Sequence, residues 1–168
     1  MTETVMETGT GTHLGRTKWV VAGLIVAFLL GAAGFVWSGF YDVAATSPHF
    51  PVTRWLLEVG MVRSVKFHAR NIEAPPLDDV ALVERGFRHF ETACANCHGE
   101  AGINQFGEQL LPVAPPLSPK VADWSPAELF WIVEHGIKMT GMPRWQAQER
   151  ADEVWAIVAF LLKLPDYA

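Results

Sequence analysis

The chain has 168 residues, enough for one domain or slightly more, and its formal net charge of −5 argues against a nucleic-acid-binding protein. Half of the residues are hydrophobic, a fraction at the high end for a soluble chain. Part of this excess is concentrated in one segment near the N-terminus.

That segment, residues 19–37 (WVVAGLIVAFLLGAAGFVW), contains no charged side chain. As a helix it would extend roughly 28 Å, close to the ~30 Å thickness of a hydrocarbon core. A cleaved signal peptide is the alternative, but the apolar region of such a peptide usually has only about 7–15 residues. Arg16 and Lys18 precede the segment and the next basic residue is Arg54, which predicts a cytoplasmic N-terminus. The sequence therefore predicts an uncleaved single-pass membrane anchor.

A second helix is predicted at about 52–72, after a turn-rich stretch. Apolar residues recur in it at helical spacing in two series: Trp55, Leu56, Val59 and Val62, and then Met61, Val65, Ala69 and Ile72. Its flanking and internal charges leave a surplus of two positives. Such an amphipathic helix could lie on anionic lipid, dock on a partner subunit or pack on its own domain. The proline-rich stretch EAPPLDD at 73–79 predicts a domain boundary.

Three further helices are predicted in the last 89 residues, at about 80–93, from a cap at Ser125 to Gly136, and at about 151–163. The second of these has a clear start, because Ser125 can cap it, Pro126 suits its first position and Glu128 completes a capping box. No alternating apolar and polar run of useful length occurs, so the predicted fold is all-α. We predict four segments: a cytoplasmic tail at 1–18, a transmembrane anchor at 19–40, a juxtamembrane segment with the amphipathic helix at 41–79, and a folded domain at 80–168.

The two cysteines, Cys94 and Cys97, lie three positions apart and His98 follows directly. A redox dithiol, half of a zinc site and a covalent haem anchor are the possible explanations. A zinc site needs four ligands, and the remaining histidines form no second pair. A thioredoxin-like dithiol would need a strand and helix context that is missing. C-x-x-C-H is the attachment pattern of c-type haem, in which both thiols bind haem vinyl groups and the histidine binds the iron. The pattern therefore predicts one covalent haem c with His98 as an axial ligand.

The second axial ligand is expected in the stretch GIKMTGMPRW at 136–145, which contains two methionines. Met142 is favoured over Met139 because Pro143 follows it and restricts the local backbone. His135 is a weaker alternative. Trp145 is predicted to line the haem pocket. Histidine and methionine ligation of iron suits electron transfer.

Three motifs in this order, CANCHG at 94–99, PVAPPL at 112–117 and GIKMTGMPRW, resemble a class I (mitochondrial-type) cytochrome c domain over about residues 80–168. The resemblance implies three main helices around a covalent haem, with Gly86 and Phe90 packed against the C-terminal helix. It also implies that a loop proline carbonyl accepts the hydrogen bond of the ligating imidazole; Pro115 matches best, and the adjoining Pro116 is the alternative. The upstream part is similar to leader segments of bacterial membrane-anchored monohaem cytochromes, which implies an inner-membrane protein with a periplasmic haem domain.

With His98 and Met142 on the two faces of the iron, no small-molecule substrate would reach the metal, and outer-sphere electron transfer remains. The favoured function is a membrane-anchored electron carrier, or haem subunit of a respiratory or dehydrogenase complex. Its expected partners are the lipid bilayer and redox proteins such as a quinol-oxidising complex, a periplasmic dehydrogenase or a terminal oxidase. The alternatives are a peroxidase-like haem enzyme with a labile sixth ligand, and a haem-containing sensor or assembly subunit.

Overall fold

The computed structural model describes residues 11–99, 106–147 and 149–167. Seven α-helices occur in these ranges: α1 Gly11–Trp37, α2 Pro51–Ala69, α3 Val80–Ala93, α4 Ala95–His98, α5 Leu117–Lys120, α6 Pro126–His135 and α7 Ala151–Lys163. Short 3₁₀ turns lie at Gly107–Gln109, Val121–Asp123 and Leu164–Tyr167. The described ranges contain no β-strand, which confirms the all-α prediction.

Two compact units make up the chain, one up to Ala44 and one from Ala45 onward. The first unit contains α1, whose residues 15–37 have a mean hydropathy of 2.4 over their most apolar window and are not buried. By length and composition this helix could cross a membrane. Of the predicted cytoplasmic tail, residues 1–10 lie outside the described ranges, and residues 11–18 already belong to the helix.

The second unit begins with α2, where Pro51 occupies the first turn and needs no hydrogen-bond acceptor for a backbone N–H. The helix ends at Ala69, three residues before the predicted end, and the N–H of Ile72 donates to the Ala69 carbonyl at 3.0 Å. Val65 and Ala69 are buried because this part of α2 packs against α6.

The crossing of α3 and α7 is the centre of the second unit. Gly86 of α3 lies directly against the Ala156 backbone of α7, and the Phe90 and Phe160 rings pack with centroids 5.1 Å apart. The helices can approach this closely because position 86 has no side chain. Helix α6 completes the core by adding Leu129, Phe130 and Val133 to the fully buried residues of α7.

Local sequence signals explain where the helices of this unit start. Asp79 caps α3, since its carboxylate accepts a hydrogen bond from the N–H of Ala81 at 2.9 Å. The capping box of α6 is formed as predicted. The N–H of Ser125 donates to the Glu128 carboxylate at 2.7 Å, and the N–H of Glu128 donates to the Ser125 hydroxyl at 3.3 Å.

Candidate haem-binding site

A single tight turn carries both cysteines and the adjoining histidine. Cys94 ends α3 and directly precedes α4, and its carbonyl accepts hydrogen bonds from the N–H groups of Cys97 at 3.1 Å and His98 at 2.9 Å. Gly99 closes the turn with a positive φ of 77°, a conformation that favours glycine. The turn thus fixes two thiols and an imidazole on one short helical segment, and all three side chains are half-buried.

The two thiols are free and form no disulfide with each other. Burial, together with the neighbouring Cys97 thiol, raises the pKa of Cys94 to about 11. Redox-active dithiols depend on a thiol whose pKa is lowered, so this environment does not suit a thioredoxin-like pair. Among the residues that the structure describes, no three Cys, His, Asp or Glu side chains converge as metal ligands. Two half-buried thiols beside an imidazole are the groups that attach and ligate a c-type haem.

The imidazole of His98 is held by a backbone carbonyl from a distant loop. Its Nδ1 lies 3.0 Å from the carbonyl oxygen of Pro115, so Nδ1–H donates and Nε2 keeps its lone pair for a metal. The neighbouring Pro116 contributes no such contact, and its φ of −62° leads directly into α5. The resemblance left these two prolines as alternatives, and the structure places the carbonyl of Pro115 on the ring.

Met142 lies in the segment at residues 136–143, which we call the methionine loop. Its N–H donates to the Thr140 hydroxyl at 3.1 Å, and that hydroxyl donates to the Ile137 carbonyl at 2.7 Å. The N–H of Ile137 in turn donates to the Met142 carbonyl at 3.2 Å. Met142 is half-buried, whereas Met139 is 65% exposed. The loop therefore fixes the backbone at Met142 with its side chain half-buried, and leaves Met139 in solvent.

Gly136 makes the turn into the methionine loop possible. Its φ is +68°, and a Cβ there would come within 2.6–2.7 Å of the backbone of Met142, Pro143 and Arg144. Only glycine fits a site with both restrictions. The sequence predicted Gly136 as the end of α6, but it gave no sign that the loop returns over this residue.

Trp145 follows the methionine loop and holds its C-terminal end against the neighbouring helices. Its backbone N–H reaches the carbonyls of Val133 and Glu134 in α6, each at 3.2 Å. The indole N–H donates to the Glu153 carboxylate at 3.0 Å, and the ring meets the His89 ring edge-on, with centroids 5.5 Å apart. Trp145 thus connects the loop to α3, α6 and α7, and its N–H is committed to Glu153.

Sequence reasoning missed two sets of contacts around the site, those of Glu153 and the ring stack at Trp131. Glu153 supports Trp145 and also pairs with Arg150 at 2.9 Å, but an acidic residue in the first turn of a helix gave no sign of this role. Trp131 of α6 packs between the imidazoles of His68 and His135, with centroid distances of 5.6 and 4.9 Å. Since His68 belongs to α2, this stack joins α2 to the helix that leads into the methionine loop.

Paired thiols beside a carbonyl-bound imidazole, on a small helical scaffold, are typical of the class of c-type cytochromes. Comparison with protein families agrees, because residues 81–161 match the family described as cytochrome c oxidase, cbb3-type, subunit III. No curated protein matches the chain. Residues 81–161 therefore form a c-type cytochrome domain with haem c as its cofactor, and the protein is a haem-containing electron-transfer protein.

Proposed function

We propose that the chain is a membrane-anchored monohaem cytochrome c that transfers single electrons on the periplasmic side. It would act as a tethered carrier or as the haem subunit of a respiratory complex. The observation that carries the proposal is the contact of His98 Nδ1 with the Pro115 carbonyl, on a turn that also presents two free thiols. This contact directs Nε2 toward a metal, as expected for an axial ligand.

One haem attaches through thioether bonds to Cys94 and Cys97, because these are the chain's only cysteines and each can bind one vinyl group. His98 and Met142 provide the iron ligands. Bound haem supplies one-electron chemistry, and the protein sets its potential through the ligands and their hydrogen bonds. Methionine as the second ligand favours an electron-transfer role over catalysis, since it closes the iron to substrates.

The anchor is α1, supported by its apolar stretch at 15–37. Arg16 and Lys18 at its start favour a cytoplasmic N-terminus and therefore a periplasmic haem domain, in the inner membrane of a bacterium. A tethered domain meets partners in the same membrane at a raised effective concentration.

The partner we favour is a terminal oxidase, because the matched family is described as a subunit of a cbb3-type cytochrome c oxidase. A quinol-oxidising complex or a periplasmic dehydrogenase would supply the electrons. From residue 74 onward the chain has 13 acidic and 7 basic residues, so a basic docking surface on the partner would speed association at low salt.

Two variants of the holoprotein test the ligand set. Met142→Ala removes the methionine-to-iron absorption band at the red end of the oxidised spectrum, whereas Met139→Ala keeps it. Haem remains with the polypeptide through acidified-acetone extraction in both, since the thioether bonds are intact. A band that is lost in Met139→Ala instead, or a wild type whose reduced iron is five-coordinate, contradicts the proposal, and the latter result favours a haem enzyme.

A further inference from the structure

Helix α2 carries apolar residues on two sides, and only one of these sides is covered by other residues that the structure describes in the second unit. The inner face packs against α6 and carries the buried Val65 and Ala69. We call the exposed side the outer face; its residues follow the i, i+3, i+4, i+7 spacing of a single helical stripe: Val52, Trp55, Leu56, Val59, Arg63, Lys66, Phe67 and Arg70. All eight are exposed. At its C-terminal end this face borders the start of α6, because Lys66 and Arg70 line one surface depression with Ser125 and Glu128.

The outer face changes character along the helix. Its first two turns are apolar, and Val52, Trp55 and Leu56 are 69%, 61% and 57% exposed. Its last two turns carry three positive charges and the Phe67 ring, with the guanidinium of Arg70 3.8 Å above that ring. No acidic residue occupies this stripe. Exposed apolar side chains and cations are the two kinds of group through which a helix can contact a membrane interface.

The position of α2 in the chain favours lipid as the surface that covers this face. Only the 13 residues 38–50 separate the end of α1 from the start of α2. Fully extended, they reach roughly 45 Å, so an anchor in the bilayer confines the first turn of α2 to within that distance of the membrane. Phe40, Val43 and Phe50 in this connection are also 50–88% exposed.

The distribution of charge indicates which side of the second unit faces an anionic membrane. The three cations of the outer face complement anionic phospholipid headgroups, and basic residues near such a surface are attracted to it. The residues from 74 onward carry a net charge of −6, from 13 acidic and 7 basic residues, and an anionic surface repels them. An anionic bilayer would therefore attract α2 and turn the cytochrome domain away from the lipid.

We propose that the outer face of α2 lies flat on the membrane surface, with its first two turns between headgroups and acyl chains and its basic turns on anionic headgroups. The inner face then holds the cytochrome domain above it through α6. This inference rests on the proposed membrane anchor. It adds a second membrane contact that fixes the orientation of a domain that a tether alone would leave free to rotate.

The test uses the full-length holoprotein in lipid nanodiscs of phosphatidylcholine, with or without phosphatidylglycerol. A nitroxide is attached to single introduced cysteines, since the native thiols are consumed by haem. Leu29→Cys reports on α1, Leu56→Cys on the outer face, and Val80→Cys on an 80% exposed control site in α3. For each label, the collision rate with oxygen is divided by the rate with a water-soluble nickel chelate, a ratio that rises with depth in lipid.

We expect ratios at positions 29 and 56 that are several-fold higher than at position 80. Reversing two charges of the outer face, Arg63→Glu with Lys66→Glu, should lower the ratio at 56 toward that at 80 in discs containing phosphatidylglycerol. Arg88→Glu with Lys120→Glu is the matched control on other helices and should leave it unchanged. An intact methionine-to-iron band shows that each variant is folded. If the Leu56→Cys variant lacks this band, Val59→Cys is used in its place.

The two hypotheses fail in different ways. A low ratio at position 29 refutes the anchor and with it the proposed function. A high ratio at 29 together with equal ratios at 56 and 80 refutes the lipid contact alone. Exclusion of both reagents from position 56 only when an oxidase is bound would identify a protein partner as the occupant, which also overturns this inference.

Discussion

Replacing Gly86 by alanine should push α3 and α7 apart at the centre of the cytochrome domain. A Cβ at this position would overlap the carbonyl oxygen of Ala156, lie 2.5 Å from its carbonyl carbon and lie 2.9 Å from the Cβ of Phe160. Ordinary contact begins at 3.4 Å, so the carbonyl carbon alone requires the helices to separate by about 0.9 Å, and the overlapping oxygen requires more. Overpacking of this kind costs typically 1–3 kcal/mol, and the upper end applies here because the obstacle is backbone.

Alanine also returns about 1 kcal/mol through its higher helix propensity, which leaves a net loss of about 2 kcal/mol. For a unit of this size the thermal midpoint should fall by roughly 5–10 °C. The midpoint is measured on the full-length holoprotein in detergent by helical circular dichroism and by haem absorbance together. Gly60→Ala in α2 is the matched control, because nothing lies within 4 Å of a Cβ there, and it should stabilise slightly. A Gly86→Ala variant as stable as wild type would refute the close helix crossing.

Gly136→Ala should displace the methionine loop and abolish the methionine-to-iron absorption band, because its Cβ would meet backbone at a positive φ; an unchanged band would contradict this. Trp145→Phe should cost about 1 kcal/mol in chemical denaturation through the lost hydrogen bond to Glu153, and an unchanged midpoint would show that the bond contributes nothing. The hydrogen bond from Arg150 lowers the pKa of Asp152 to about 2. The contribution of the Asp152 carboxylate to folding stability is therefore complete above its unfolded pKa near 3.8 and is lost as the pH falls to about 2. Asp152→Asn should remove this part of the acid dependence of the unfolding midpoint, and an unaltered profile would count against it.

Local signals made several elements predictable. The start of α6 could be read from Ser125, Pro126 and Glu128, because a capping box involves only residues within one turn. The cysteine turn was equally readable, since its three side chains lie within five consecutive residues. The position of Pro115 came from resemblance to a family, because 17 residues separate it from the imidazole that it contacts.

Contacts between elements could not be derived in this way. Helical spacing shows that Val65 and Ala69 share a face, but it does not say that the face meets α6. Trp145 was expected to line the haem pocket, and its spacing from Glu153 gave no indication that they would pair across the turn into α7. Both outcomes depend on how the helices pack, which a one-dimensional pattern does not specify.

The two apolar faces of α2 explain why an amphipathic reading of that helix was incomplete. A helix with a single apolar stripe needs one surface to cover it. Helix α2 carries one stripe that faces α6 and a second stripe on its exposed side. On the proposed arrangement, lipid takes the outer face and α6 takes the inner one, and α6 leads directly through Gly136 into the methionine loop. Membrane, α2, α6 and the proposed iron ligand then form one continuous stack of contacts. Such a stack restricts the rotation of the cytochrome domain before a partner binds, so less rotational freedom is lost on docking. A flexible tether alone does not restrict this rotation.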